Sequence, residues 1–181
     1  MDELFKALAS LGICQTGQRY WSMSDKNLET IIKAWKKWPE FMEEHGEVAI
    51  HTLRKYLEKD NVKERLELNN IYLDSTLDNK LVESDTNVTV AGSSNGSIAV
   101  KDFSVVKFYV YNNSDITIVC GKNTIVGVEA YHNSKVKIVI QDGAKFFGEQ
   151  YSNANIVSDS AIKVDKKEYI RGEIFNGLED E

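Results

Sequence analysis

The chain is predicted to be an α+β protein, a small N-terminal helical bundle followed by a β-solenoid. Three observations predict it. Apolar residues recur at helical spacing up to about residue 67. From about Ala91 to about Val164 they follow a ten-residue beat with strand-like alternation. A tyrosine marks every second beat, at Tyr111, Tyr131 and Tyr151, so two ten-residue strand–turn units make one 20-residue coil. About four such coils fit. The expected division is a helical domain at 1–67, a connector with first strands at 68–90, the solenoid at 91–165, and a C-terminal cap with an acidic tail at 166–181.

The helical part divides into three stripes. Leu4, Phe5, Leu8 and Leu11 share a face, and Gly12 is a natural C-terminal stop. Ser22-Met-Ser-Asp25 reads as a capping box before a second stripe of Leu28, Ile31, Ile32, Trp35 and Trp38. Pro39 cannot donate the backbone bond that continuation requires. After Gly46, the residues Ala49, Ile50, Leu53, Tyr56 and Leu57 form the third stripe, which can run on through Val62 and Leu66. Each stripe is one-sided, so these helices must bury it on one another or on an open end of the solenoid.

Written in tens from residue 91, the second half shows its columns. The sixth holds Val106, Ile116, Val126, Val136, Phe146 and Ile156; the eighth holds Ile98, Phe108, Ile118, Val128 and Ile138; the tenth holds Val100, Val110, Cys120, Ala130 and Ile140. Three alternate positions give a short strand with one inward face. The third column carries Asn113, Asn123, Asn133, Gly143 and Asn153, residues that tolerate left-handed backbone in turns. On successive coils, about 4.8 Å apart, stacked asparagines can bond along the ladder. An antiparallel meander explains the tens but not the tyrosines. It also requires tight Asn-Gly or Asp-Gly turns, and only Asp142-Gly143 qualifies. The pattern fades after residue 147, where Gly148, Gln150, Ser158 and Ser160 take formerly apolar positions, as terminal repeats do. The segment 169–178 is placed to fold over that end.

Composition excludes several classes. The net charge of −6 splits into about −1 over residues 1–67 and −5 beyond, which is not the basic footprint of a nucleic-acid binder. An acidic solenoid that mimics a phosphate backbone is the alternative to plain solubility. No apolar run reaches the length of a membrane span, and the opening Met-Asp-Glu lacks the order of a secretion signal, so a cytoplasmic location is expected. Cys14 and Cys120 lie too far apart to imply a disulfide framework, and Cys120 falls in an inward column. His45 and His51 are spaced to point apart on a helix, and His132 sits in a variable turn column. Hexapeptide, calcium-nonapeptide, phosphate-loop, dinucleotide, nucleophile-elbow and zinc signatures are missing. Asp102, Asp115, Asp142 and Glu149 do not share a column, as a catalytic wall would require. A non-enzyme with no cofactor and no metal is the expectation.

Cys14-Gln-Thr-Gly17 before Trp21, ahead of a run of short Asn-punctuated strands, resembles the layout of short accessory proteins from phages and mobile elements of the Bacteroidota. The likeness spans most of the chain and departs from that layout where the last coils lose their strand pattern. It implies a small accessory protein with no agreed activity. Three roles are compatible: a protein–protein interaction module, an inhibitor of a nucleic-acid-guided bacterial defence complex, and a virion or fibre component that trimerises. A monomer fits the first two and a homo-trimer the third. Trp and Tyr dominate binding hot spots. The aromatic concentration Tyr20, Trp21, Trp35, Trp38 and Phe41 therefore yields the candidate contact residues Trp35, Trp38, Lys36 and Lys37, against the alternative that the aromatics are core packing and the lysines a solvated helix face. The outward face of the twenty-residue beat adds Tyr111, Tyr131 and Tyr151, against the alternative that these rings are a packed ladder.

Overall fold

A computed structural model describes residues 6, 15–23, 27–37, 50, 51, 53–55, 57, 61–84 and 86–167. The chain forms two units, Met1–Asn69 and Asn70–Glu181. The first contains helices α1 (Gln15–Ser22), α2 (Leu28–Lys37) and α3 (Val62–Leu68). None of the helices among the described residues is long and apolar enough to cross a membrane.

Helix α2 buries Leu28, Ile31, Ile32 and Trp35 of the predicted stripe, with Thr30 beside them. Its start differs from the expected capping box. Ser22 ends α1, its hydroxyl donating to the Arg19 carbonyl at 2.8 Å. Asn27 opens α2 instead, its Oδ1 accepting from the Thr30 N–H at 3.1 Å. A side-chain oxygen three residues before the N–H it accepts from is what a helix start needs, and Asn27 supplies it closer to the stripe. Ile50 and Leu53 from the third stripe are buried, as are Val62 and Leu66 of α3. Arg65 pairs with Glu29 at 2.5 Å, tying α3 to α2. The first stripe, apart from the described Lys6, and Trp38, Pro39 and Phe41 lie outside the described residues.

The second unit is the solenoid. Strands β1 (Ile71–Leu73), β3 (Thr86–Ala91), β5 (Val105–Val110), β7 (Ile125–Ala130), β9 (Lys145–Tyr151) and β11 (Val164–Lys167) form one sheet. Strands β2 (Thr76–Val82), β4 (Asn95–Val100), β6 (Asp115–Cys120), β8 (Lys135–Ile140) and β10 (Asn155–Ser158) form the other. Every pairing is parallel and joins alternate strands, as a solenoid requires and a meander forbids. The coil count is about five, against the four expected. The extra coil comes from 68–90, whose strands β1 and β2 already pair with β3 and β4.

The register confirms the twenty-residue period: Val106 lies beside Val126 and Val126 beside Phe146. The first coil is shorter, because Leu73 pairs with Ala91 and β2 slips register between Leu77 and Lys80. Asn79, left-handed at φ 47°, sits in that slip and donates its N–H to Ser97 Oγ at 3.2 Å. Columns six, eight and ten fill the interior as predicted. Ile98, Phe108, Ile118 and Ile138 are wholly buried, with Cys120 and Ala130 beside them. Where the pattern fades, Gln150 turns inward and replaces apolar packing with hydrogen bonds, to the Ala154 carbonyl at 3.1 Å and from the Ile156 N–H at 3.4 Å.

The corners follow a finer rule than one asparagine column. Most close with a bond from the fourth residue's N–H to the first residue's carbonyl, as in Ser104 to Lys101 and Ser134 to Tyr131. In the corners that begin with tyrosine the left-handed residue is the second: Asn112, His132 and Ser152. In the alternate corners it is the third: Phe103, Asn123 and Gly143. The third-column residues Asn113, Asn133 and Asn153 are therefore free of that duty and form the expected side-chain ladder, at 3.4 and 3.3 Å. The second-column side chains also serve the preceding coil. Asn112 Oδ1 accepts from the Gly92 N–H, and His132 Nδ1 from the Asn112 N–H. A column of small polar residues, Ser94, Ser104, Ser114, Thr124 and Ser134, is buried at the corners. Ser94 and Thr124 hydroxyls donate to the carbonyl three residues back, which satisfies buried polar groups within the turn itself.

Candidate functional site

Trp35 packs in the core of the helical unit rather than on an exposed face. It is 1% exposed, and its indole N–H is buried without a hydrogen-bond partner among the described residues. Its place on the apolar stripe of α2 turns the ring inward, which removes it from any partner's reach. Trp38 lies outside the described residues. Lys36 and Lys37 are exposed. The Lys36 ammonium donates to Asn69 Oδ1 at 3.3 Å, and that of Lys37 lies 6.0 Å from the Tyr20 ring centroid.

The tyrosines form a packed ladder. Tyr111 and Tyr131 stack at 5.3 Å and 12°, Tyr131 and Tyr151 at 4.6 Å and 18°. Tyr111 and Tyr131 are 2% and 4% exposed, and only Tyr151 is half-buried. Each ring is covered by the ring one coil away, so the expected outward contact face is corrected to a structural spine. Two hydroxyls are taken as well: Tyr131 donates to Glu129 Oε2 at 2.6 Å, and Tyr151 to Glu149 Oε2 at 2.8 Å.

Those carboxylates open onto the outward face of the β1–β11 sheet, where every second residue of each strand points to solvent. Lys107 pairs with Glu129 at 2.6 Å and lies 4.7 Å from the Tyr109 ring centroid. Burial disfavours the Lys107 ammonium, but bonds to Glu129 and Tyr109 outweigh it and the group is held charged well above the usual lysine range. Lys167 pairs with Glu149 at 2.5 Å. The bond from Lys167 holds the Glu149 carboxyl below its ordinary value; partial burial opposes this, and the Tyr151 hydroxyl adds to it. Glu129 and Glu149 thus each have an ammonium and a phenol already in place.

Beside this network the same face presents apolar side chains to solvent. Phe103 is 75% exposed, Phe147 62%, Val105 47% and Ile125 42%. The register makes them neighbours. Val105, Ile125 and Lys145 lie in one row across β5, β7 and β9, and Lys107, Gly127 and Phe147 in the next. Phe103 precedes Val105 in the turn and holds left-handed backbone at φ 63°, where the equivalent residues are Asn123 and Gly143. Bulky residues seldom occupy that region. The other sheet exposes Leu81, Val139 and Val157. These are aliphatic, suited to strands, and lack aromatic neighbours on that face.

Phe103, Val105, Ile125 and Phe147 were not among the residues singled out from sequence. Their signal was there: apolar residues in columns three, five and seven, which most other coils fill with polar residues or glycine, Val157 being the exception. Among the described residues no group of three or more His, Cys, Asp or Glu gathers to hold a metal. Burial pushes the Cys120 thiol up to about 11, and it lies in the solenoid interior. Cys14 lies outside the described residues. The face thus combines exposed apolar side chains with charges that are largely paired with one another. Comparison of this chain with protein-family models, with curated proteins and with solved structures finds no match.

Proposed function

We propose that this protein is a non-catalytic protein-binding module that engages its partner through the outward face of the β1–β11 sheet. The observation that carries the reading is the cluster of Phe103, Val105, Ile125 and Phe147, four large apolar side chains left in solvent on one rigid surface. Exposed apolar groups scattered singly are ordinary, whereas several large ones on neighbouring strands, rimmed by polar groups, mark an interaction surface. The solenoid supports this use, because stacked parallel strands hold the face in one conformation before binding and little ordering is needed. The layout of the chain supports placing the partner in a bacterial host, with components of a nucleic-acid-guided defence complex among the targets to examine.

The test is capture from a bacterial lysate on the immobilised full chain, with light scattering on the same preparation. A stoichiometric protein held by a monomeric bait, and lost when Phe103→Ser and Phe147→Ser are combined, is the expected result. Circular dichroism of the double variant checks that the fold persists. A partner retained by the double variant, or a tight trimer that captures nothing, overturns the reading; the trimer points to a fibre subunit instead.

A further inference from the structure

Gly127 occupies an outward position in the middle of β7, beside the Lys107 side chain that reaches over to Glu129 on the same strand. Its backbone is not left-handed, and a β-carbon built there meets only Lys107 Cγ, at 3.7 Å, an ordinary contact. Glycine in a strand interior weakens the strand, and often marks a place where another molecule comes close. Its row neighbours are large, Lys107 on one side and Phe147 on the other. Two strand spacings separate them, about 9.6 Å between backbones, so the missing side chain leaves a shallow slot, narrowed on one side by the Lys107 stem, whose Cγ lies 3.7 Å from where a β-carbon would stand. Along β7 itself the slot is closed by Ile125 and Glu129, the adjacent outward residues. Its floor is backbone, its walls are mainly hydrocarbon, and the Glu129 carboxylate at its end is already paired with Lys107.

One charge at the rim is unmatched. Lys145 lies next to Ile125 in the neighbouring row and forms no ion pair among the described residues, whereas Lys107 and Lys167 are both paired. An occupant that leaves this ammonium uncompensated forgoes the one electrostatic contact on offer.

Resting on the proposed binding role of this face, we infer that the Gly127 slot receives a single apolar side chain from a protein partner, and that a carboxylate flanking that side chain pairs with Lys145. The partner motif is thus an aromatic or long aliphatic residue with an aspartate or glutamate close by. Phe147 and Ile125 line the entering side chain, and Phe103 with Val105 extends the contact beyond the slot.

The experiment uses random displayed peptides selected on the full-length protein, followed by affinity measurement with a synthetic copy of the enriched sequence. Enriched peptides are expected to share an apolar residue beside an acid. Gly127→Val, which fills the slot, is expected to weaken binding by about tenfold or more, the effect of removing a central anchor. Lys145→Gln is expected to weaken it several-fold, and changing the peptide's acid to its amide should then cause no further loss. Circular dichroism serves as the fold control, since valine suits a strand. Peptides without an acid, or affinity indifferent to Gly127→Val and Lys145→Gln, overturn the inference. If Phe103→Ser and Phe147→Ser still abolish that binding, the sheet face stands as the docking surface and only the slot falls. If neither pair of changes matters, both fall.

Discussion

Replacing Phe103 with asparagine is expected to stabilise the solenoid, although it removes a large apolar side chain. Left-handed backbone costs an ordinary L-residue about 1–2 kcal/mol, a cost asparagine largely escapes through its short polar side chain. The equivalent turn positions show the relaxed solution, with Asn123 at φ 55° and Gly143 at φ 75°. Against that gain stands the burial the ring would lose. Phe103 is 75% exposed, so about a quarter of the burial of a phenylalanine, roughly 0.5 kcal/mol, is at stake. The net expectation is a gain of about 1 kcal/mol, or about 4–8 °C in the melting temperature of a unit this size. Phe103→Gly relieves the same backbone strain but loses roughly 0.5–1 kcal/mol through the greater freedom of the unfolded chain, so it should rank below asparagine. Urea and thermal unfolding followed by far-ultraviolet circular dichroism measure both. A loss of stability in Phe103→Asn would refute the reasoning, since it would mean that the ring's contacts outweigh the backbone strain.

Other perturbations test other parts of the structure. Tyr131→Ser is expected to cost about 3 kcal/mol, as for a core aromatic deletion, because the ring is stacked on both sides and nearly sealed from solvent; an unchanged urea midpoint would return the ladder to the list of contact surfaces. Glu149 carries a lowered pKa, so its contribution is complete above the unfolded value of about 4.3 and is lost as pH falls through the lower folded value. The raised pKa of Lys167 works in the opposite direction, its share being present up to about 10.4 and lost in more alkaline solution. Unfolding midpoints should therefore fall faster in acid for the native protein than for Glu149→Gln, and parallel curves would contradict this. Cys120, with its thiol held protonated in the interior, should react with maleimide at about pH 8 only as fast as the solenoid opens, which peptide mapping of the labelled protein reads directly; prompt labelling of the native protein would show that the interior is open to solvent.

The solenoid was legible in the sequence because its period is physical. Strand alternation and coil stacking force equivalent residues into register, so Val106, Val126 and Phe146 align by counting alone. Corner chemistry was less legible. An asparagine serves equally well as a left-handed residue or as a rung in a side-chain ladder, and Asn123 does the first while Asn133 does the second. The first coil was hidden by its slip at Asn79, which breaks the count of ten. Tyr111 and Tyr131 misled for a different reason. Recurrence identifies a column, but whether its rings face a partner or one another depends on spacing along the coil axis, and at 4.6–5.3 Å they cover themselves.

A periodic fold also offers its own control for function. Each column states what the architecture prefers at that place, and a residue that departs from its column has to be explained by something other than the column. Phe103 holds backbone better suited to asparagine or glycine, Gly127 weakens a strand at a place with room for a side chain, and Phe147 stands in a solvent column. Each departure works against stability or solubility, and the three lie together on one face, across β5, β7, β9 and the turn before them. Proteins break local rules chiefly where function requires it. The other sheet exposes apolar residues too, Leu81, Val139 and Val157, so exposure by itself does not single out this face; the left-handed Phe103 and the Gly127 gap do. That distinction can be measured: Phe103→Asn and Gly127→Val should each raise the unfolding midpoint and each weaken binding, and a variant that raised both together would break the link between the departures and the docking face.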